Sequence, residues 1–544
     1  MMKNYMKISK EICVLVVLSL FFAGCSTIKQ PKEVFELPDY TEEDVKNNEI
    51  KRIEKLAEKN ISEALWRSYL LEDSSLCEKY SDMLYEELRK DVDSGKKFEA
   101  WKKFNTLKSF GYKFQDKTGM SQKALFADYI SDVPGVTPDA ALLPKNIQNC
   151  IDATVTIWVD KGIAIHNGVG YADRVLGSGF FIDKRGYLIT NHHVISDVVD
   201  PKYEGYSRLY VKLASDQDTR IPAKVIGYDS LLDLALLKVE VDPPYILALG
   251  SSRDLNIGDK VSAIGTPLGL HGTLTSGIVS NIDRKLFTSG SVLQIDAAVN
   301  SGNSGGPLID SQMRVQAIVF AGILQYQGLN FAIPVEYLRQ DLPFLYNGGK
   351  RTHAWVGTYG HTRREYNKNA GFEIQYVMPG GVASRAGLKK GDVITELNGT
   401  KIYTIDNAQD VIRSFSAGSV ISAVYNREGE EKNILLYLEE RPKQPGYEIY
   451  KSDLLTSSLV PLFGMELVPS STLSSRKYTI SDILKGSVAD ESGFSVSDPV
   501  SVTDVAFSEN KDAVSVRMNT RKRKKGYLDI SISMGTALDC PYYF

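Results

Sequence analysis

Between residues 151 and 345 glycines cut the chain into short β-rich runs: ATVTIWV, GSGFFID, GYLITN, RLYVKLA, AKVIGY, LALLKVE, KVSAIG, GTLTSGIVSNI and RVQAIVFAG. Short runs rich in β-branched and aromatic residues form strands. Many of them at regular spacing leave two architectures, a barrel or a sandwich. The chain has 544 residues, too many for one hydrophobic core, so other domains must flank this block.

Upstream, residues 41–131 carry a helical pattern. Leu65, Tyr69, Leu76, Tyr80, Leu84 and Leu88 recur at intervals of three and four, the period of one helix face. TEEDV offers an N-cap followed by acidic first-turn residues. The region is too short for the stacked copies of a solenoid, so a small bundle is expected. The stretch DVPGVTPDAALLP, broken by proline and glycine, links it to the β-rich block. Downstream the chain repeats itself. MPGGVASRAGLKKGDVITELNG answers to LKGSVADESGFSVSDPVSVTDV at one constant offset, with Ala383 matching Ala489, Gly387 matching Gly493 and Asp392 matching Asp498. WVGT at Trp355 parallels LFGM at Leu462, so two copies of one module close the chain.

Three stretches of the β-rich block carry chemistry. NSGNSGGPL places Ser304 among glycines. Glycine reaches backbone angles closed to other residues, so a tight turn here can expose Ser304 Oγ while aiming N–H groups at one point, as an acyl-transfer oxyanion requires. A glycine-rich hairpin without chemistry fits the same letters. A serine nucleophile needs a base, and the base an orienting carboxylate. TNHHV offers His192 and His193, two of only six histidines, and SLLDLALLKV offers Asp233, a lone charge in an apolar run. Consecutive residues leaving a strand point to opposite sides, so one histidine of the pair can face a cleft. That argument does not choose between them.

The N-terminus has Lys3, Lys7 and Lys10, then VLVVLSLFFAG, an apolar run too short to span a bilayer as a mature helix. FAGCS resembles a bacterial lipobox with Cys25 as the acylated residue, although Phe22 stands where Leu is usual. The resemblance implies a signal peptide over residues 1–25, a tether over 26–40 and a chain exported and lipid-anchored to the cell envelope, on the periplasmic face or the outer membrane. Cys77, Cys150 and Cys540 remain, widely separated, with no disulfide framework or metal-ligand spacing; buried apolar cysteines are expected. The net charge of −3 favours no nucleic-acid partner. The basic run at residues 521–525 lies between two strand-like stretches and suits a solvated hairpin tip.

The order His, Asp, Ser, with GSGFFID, GYLITNHHV, DLALLKV, DAAVNSGNSGGPL and LNFAIP, resembles the chymotrypsin-fold serine proteases, and specifically the HtrA/Deg family. The resemblance covers the chain from about residue 151 onward. It implies a multidomain chain: a helical N-terminal domain at 41–131, an all-β chymotrypsin-like double β-barrel protease at 150–345, and α+β PDZ domains at 350–442 and 455–544, the last divergent. It makes Ser304 the nucleophile, His193 the general base and Asp233 its orienter, with the N–H groups of Gly302 and Ser304 as oxyanion hole. Ala298 falls at the base of the S1 pocket; with Val299, Phe331 and Ile333 it implies a small aliphatic P1 residue. Val356, Gly357 and Thr358 would form the peptide-binding loop of the first PDZ domain, and Phe463, Gly464 and Met465 that of the second. The implied function is ATP-independent degradation of unfolded or misfolded proteins, with C-terminal peptides as further partners, no metal or other cofactor, and a homo-oligomer in which a trimer is one size open. The alternative is a chaperone-like or adaptor protein whose protease site is latent.

Overall fold

The computed structural model describes residues 30–114, 121–200, 205–266, 272–285, 290–300, 302–322, 329–470, 477–523 and 527–544. The leader and Cys25 lie outside the described residues. The described residues divide into two compact units, one drawn from residues 1–84, 106–111 and 354–544, the other from residues 85–105 and 112–353. The N-terminal region is helical as expected, and its helices are divided between the two units.

The second unit contains the β-rich block. Strands β1 (Thr154–His166), β2 (Val169–Asp183), β3 (Tyr187–Thr190), β4 (Arg208–Leu213), β5 (Asp216–Asp229) and β6 (Leu234–Val239) run in the order β5-β4-β1-β2-β3-β6, and β6 pairs back onto β5. Strands β7 (Lys260–Gly265), β8 (Thr273–Arg284), β9 (Val292–Ile295), β10 (Pro307–Ile309), β11 (Val315–Gly322) and β12 (Asn330–Pro334) close a second barrel in the order β10-β11-β12-β9-β8-β7. Of the two architectures open to the sequence, the barrel is adopted, twice.

The apolar run of β6 shows why. Side chains alternate across a strand. Ala235 and Leu237 line the first barrel with Val155, Ile157 and Leu188, while Leu234 and Leu236 face a cluster with Ile264, Ile318 and Ile333 of the second barrel. Both faces are buried, so the run is continuous rather than alternating. At roughly 1.5–3 kcal/mol for each fully buried Leu or Ile, the cluster between the barrels contributes as a core in its own right.

After the second barrel come a helix, Val335–Asn347, and a short strand, Gly349–Lys350, paired parallel to β5. Beyond it His353 Nε2 lies 2.6 Å from Asp229 Oδ2. Asp229 is fully buried, and its other oxygen accepts the N–H groups of Leu231 and Leu232 at 2.7 and 3.1 Å. Burial pushes this carboxyl up, but His353 and the two N–H groups outweigh it and hold the carboxyl at about 2. Nearby, Arg351 Nε donates to Asp341 Oδ1 at 3.0 Å.

In the first unit Trp66 Nε1 donates to the Leu435 carbonyl at 2.8 Å, and its ring stacks on Tyr437 with centroids 5.8 Å apart. The first helix, Glu43–Ala57, is capped differently from expectation: Glu42 at the cap makes no side-chain bond, and Thr41 instead bonds Asp39 at 2.7 Å. The first C-terminal module is a sheet of Thr358–Glu365, Lys368–Val377, Val393–Leu397, Val420–Arg427 and Glu430–Tyr437, with a helix, Ile405–Arg413, capped by Thr404. The duplication is visible in its turns. Asp392 accepts the N–H of Lys389 and Asp498 that of Ser495, both at 2.8 Å, and Gly387 and Gly493 have φ of 79° and 82°. The second copy lacks one part. Where the first has the helix Ile405–Arg413, strand Pro499–Phe507 passes directly into Ala513–Arg523. Of the basic run, Arg521 lies in the strand Ala513–Arg523, which pairs with Tyr527–Ala537, and its Nε is 2.8 Å from Asp529; the expected tip, residues 524–526, lies outside the described residues. Cys77, Cys150 and Cys540, the cysteines among the described residues, are free; Cys150 is buried and Cys77 and Cys540 are half-buried.

Replacing His353 with Ala strands the Asp229 carboxylate in the interior. The expected loss is about 3–5 kcal/mol, measured as a fall in the urea midpoint of the unit containing the barrels; His353→Gln, which retains a donor, loses less. In the wild type the Asp229 carboxyl titrates at about 2 folded and near about 3.9 unfolded. Its contribution is therefore complete above that range and fades as pH falls through it.

Candidate active site

Beyond Thr190 at the end of β3, Asn191 leads into the helix His192–Val199. The adjacent histidines therefore occupy one helical turn, about 100° apart around the axis, and not opposite sides of a strand. The His192 ring stacks on Tyr228, with centroids 5.2 Å apart and planes at 17°. Burial lowers its pKa. The His193 ring is exposed, and its Nδ1 lies 2.7 Å from Asp233 Oδ2. The main-chain N–H of His193 donates to Asp233 Oδ1 at 2.8 Å. One carboxylate thus grips both the backbone and the ring of the same residue, and a Nδ1–H donor leaves the Nε2 lone pair as the ring's basic site.

Asp233 is not within a strand. It sits in the turn before β6 with φ of 56°, a left-handed conformation costly for a residue other than glycine. Asn191 Nδ2 donates to its carbonyl at 2.8 Å and braces the turn. The sequence reading passed over Asn191; its place two residues before His193 was the only available signal.

The serine loop joins β9 to β10. Gly302 and Gly305 have φ of 101° and 86°, and a Cβ on Gly305 would collide with the Ser178 carbonyl and the Thr190 hydroxyl. That glycine is required both by its angle and by the closeness of the first barrel. Ser178, fully buried in β2, ties the loop down. Its N–H donates to the Ser304 carbonyl at 2.8 Å and its hydroxyl to the Gly302 carbonyl at 2.6 Å, while the hydroxyl accepts the Thr266 N–H at 3.0 Å. Ser178 was also missed; its one signal was a small polar residue between glycines in an apolar strand.

Ser304 Oγ donates to the Phe320 carbonyl at 3.3 Å. Phe320 falls at a bulge in the β11–β12 ladder, where the extra residue redirects the backbone. Among the described residues Ser304 makes no hydrogen bond to His193, and the N–H groups of Gly302 and Ser304 donate to no acceptor. Of the expected S1 residues, Ala298 is exposed and its carbonyl accepts Thr275 Oγ1 at 2.8 Å. Val299 belongs to the interior of the second barrel and Ile333 to the cluster between the barrels, with Phe331 on the same face of β12 as Ile333. Among the described residues no group of three or more His, Cys, Asp or Glu side chains could hold a metal ion.

In the first module Val356 is buried, Gly357 has φ of 87°, and the N–H groups of Gly357 and Thr358 both donate to the main-chain oxygen of Phe544. The corresponding Gly464 of the second module is the left-handed cap of the helix Leu455–Phe463, and its N–H is taken by the Leu459 and Val460 carbonyls at 3.0 and 2.9 Å. Phe463 and Met465 beside it are buried core.

Comparison with known proteins matches residues 177–318 to a trypsin-like peptidase domain, 373–427 to a PDZ domain, 446–538 to a TP0546 family PDZ domain and 44–128 to a domain of unknown function, DUF8517. A probable periplasmic serine endoprotease DegP-like of Marinomonas sp. is 36% identical over 282 residues, which cover 50% of this chain and 58% of the relative. Its counterpart in Halomonas elongata is 35% identical over 281 residues, covering 49% and 57%. The chain thus spans less than two thirds of the length of these relatives. A solved structure, HtrA-type protease AlgW with decapeptide, aligns with 55% of this chain and 99% of its own at 25% identity and a TM-score of 0.45. A trypsin-like peptidase domain followed by two PDZ domains, together with the DegP-like relatives, supports an HtrA/Deg family serine protease.

Proposed function

We propose that this protein is an ATP-independent serine endopeptidase of the cell envelope that degrades unfolded or misfolded proteins. It is exported, anchored through lipid on Cys25 and assembled as a homo-oligomer. The first PDZ domain receives peptides at Val356, Gly357 and Thr358. The periplasmic naming of the relatives supports export.

The observation that carries the reading is the Asp233 carboxylate bonded to both the Nδ1 and the main-chain N–H of His193, in the same unit as a glycine loop whose Gly302 and Ser304 N–H groups have no described acceptor. In the reaction Ser304 Oγ attacks the scissile carbonyl while His193 Nε2 takes its proton, and the carbonyl π pair moves onto oxygen between the two N–H groups. Collapse breaks the C–N bond, and His193 passes the proton to the leaving amine. Water, deprotonated by the same ring, then releases the acyl group and restores the serine. Asp233 keeps the ring in the correct tautomer and stabilises its charged form. Before attack Ser304 Oγ must release the Phe320 carbonyl and turn to His193 Nε2.

That same contact favours a second reading, a chaperone-like or adaptor protein in which the protease is latent. The two are separated by digestion of casein with the full chain in detergent. The endopeptidase reading expects cleavage, lost by at least about 10⁴-fold in Asp233→Asn and abolished in Ser304→Ala and His193→Ala, with His192→Ala little changed. A wild type inert under every activating peptide leaves the latent reading. Loss of turnover in His192→Ala alone would transfer the base to the neighbouring ring.

Ser178 is a positioning residue for this chemistry. Ser178→Ala leaves the Gly302 carbonyl and the Thr266 N–H without their partner, at about 1–3 kcal/mol for each buried unsatisfied group. A displacement of the loop by about 1 Å costs on the order of 10²-fold. The expected result is a fall in kcat with KM nearly unchanged, and slower labelling of Ser304 by a fluorophosphonate.

A further inference from the structure

Resting on the peptide-groove reading of Val356, Gly357 and Thr358 above, we propose that residues 541–544 are a tethered ligand of the first PDZ domain, so that any other peptide binds there only by displacing them. The strand Thr358–Glu365 is at the edge of its sheet, where unpaired N–H and C=O groups accept an added strand. Residues 541–544 are that strand. Tyr543 pairs antiparallel with Tyr359. The Phe544 main-chain oxygen accepts the N–H groups of Gly357 and Thr358 at 3.0 and 2.8 Å, the Phe544 N–H donates to the Thr358 carbonyl at 2.8 Å, and the Gly360 N–H donates to the Tyr542 carbonyl at 3.2 Å.

Side chains complete the fit. Phe544 is 3% exposed and packs against Phe372, with centroids 5.1 Å apart and planes tilted at 56°. It shares a core cluster with Ala408 and Ile412 of the helix Ile405–Arg413 that walls the groove. Gln409 on that helix donates to the Tyr543 carbonyl at 3.3 Å and also bonds the Pro541 carbonyl. Tyr542 covers His361, with ring centroids 4.2 Å apart, and the Tyr543 hydroxyl reaches the Pro461 carbonyl at 3.4 Å. Main-chain pairing, an aromatic anchor in an apolar pocket and a side-chain clamp from the groove helix are together what a bound peptide requires. An Arg441–Asp539 ion pair fixes the start of the segment.

A tethered ligand competes at the millimolar effective concentration of a short link. The probe is a fluorescent peptide, DSPYYF, which copies residues 539–544 with Ser for Cys. It is titrated onto the full chain in detergent, onto a chain cut after Asp539, and onto full-length Phe544→Asp, which keeps the proposal testable if the cut chain fails to fold. The expected result is binding at least about tenfold tighter to the two altered chains than to the wild type. Equal, measurable affinity for all three leaves the groove reading standing and overturns tethered occupancy. No binding to any of them overturns the groove reading, and this proposal with it. A second readout uses Cys540, whose thiol burial pushes up to about 12. Its alkylation by iodoacetamide, located by peptide mapping, should accelerate in the wild type when excess probe is added. Unchanged alkylation overturns displacement, and Cys150, pushed up to about 11 by burial, is the internal control.

Discussion

The candidate active site depends on a junction between two barrels that share no strand. His193 and Asp233 belong to the first, Ser304 to the second, and their alignment is only as good as the register between the barrels. Ser178 sets that register with one buried side chain and its own main chain, bonding the Gly302 carbonyl, the Ser304 carbonyl and the Thr266 N–H together. Because these groups are buried, none can exchange its partner for water, and an unmade bond costs its full desolvation. The apolar cluster between the barrels supplies bulk attraction, which is non-directional. The hydrogen bonds give it a geometry.

The two C-terminal modules show how one sequence pattern diverges in use. Both retain the glycine, the alanine and the aspartate that build the same turn. Only the first retains the helix Ile405–Arg413, whose Ala408 and Ile412 wall its groove. In the second, the glycine that could open a carboxylate loop instead ends the helix Leu455–Phe463, and its N–H is spent on capping. The module keeps its core, with Met465, Phe494, Val516 and Met518 buried, and its chain leads into the segment that fills the neighbouring groove.

The β-rich block was legible as short strand-forming runs cut by glycines, continuous where both faces are buried, as in β6; the choice of barrel over sandwich came from the family resemblance. The serine loop was legible because its glycines are needed twice, for positive φ and for close approach. Asp233 was located by composition, as a charge in an apolar run, but the run placed it within a strand; it stands in the left-handed turn before one. Thr41 was offered as a cap by residue type, yet Asp39 captured it first. Asn191 and Ser178 left almost no trace, since a residue that braces another is identified by its partner and the partner is remote in sequence.

The amino-acid order by itself determined which residue types could meet: a histidine, a carboxylate and a glycine-flanked serine in a strand-rich block, then two copies of one module. Such information is local, carried by side-chain periodicity and by the backbone freedom of glycine. The residues read alone left His192 and His193 open and the family resemblance pointed to His193; the tertiary structure bonds His193 to Asp233 and lays Tyr228, from another strand, against the His192 ring. It alone decided that Phe544 lies against Thr358. Contacts between residues so far apart in the chain depend on the folded path between them, and no pattern of neighbours along the sequence encodes that path directly.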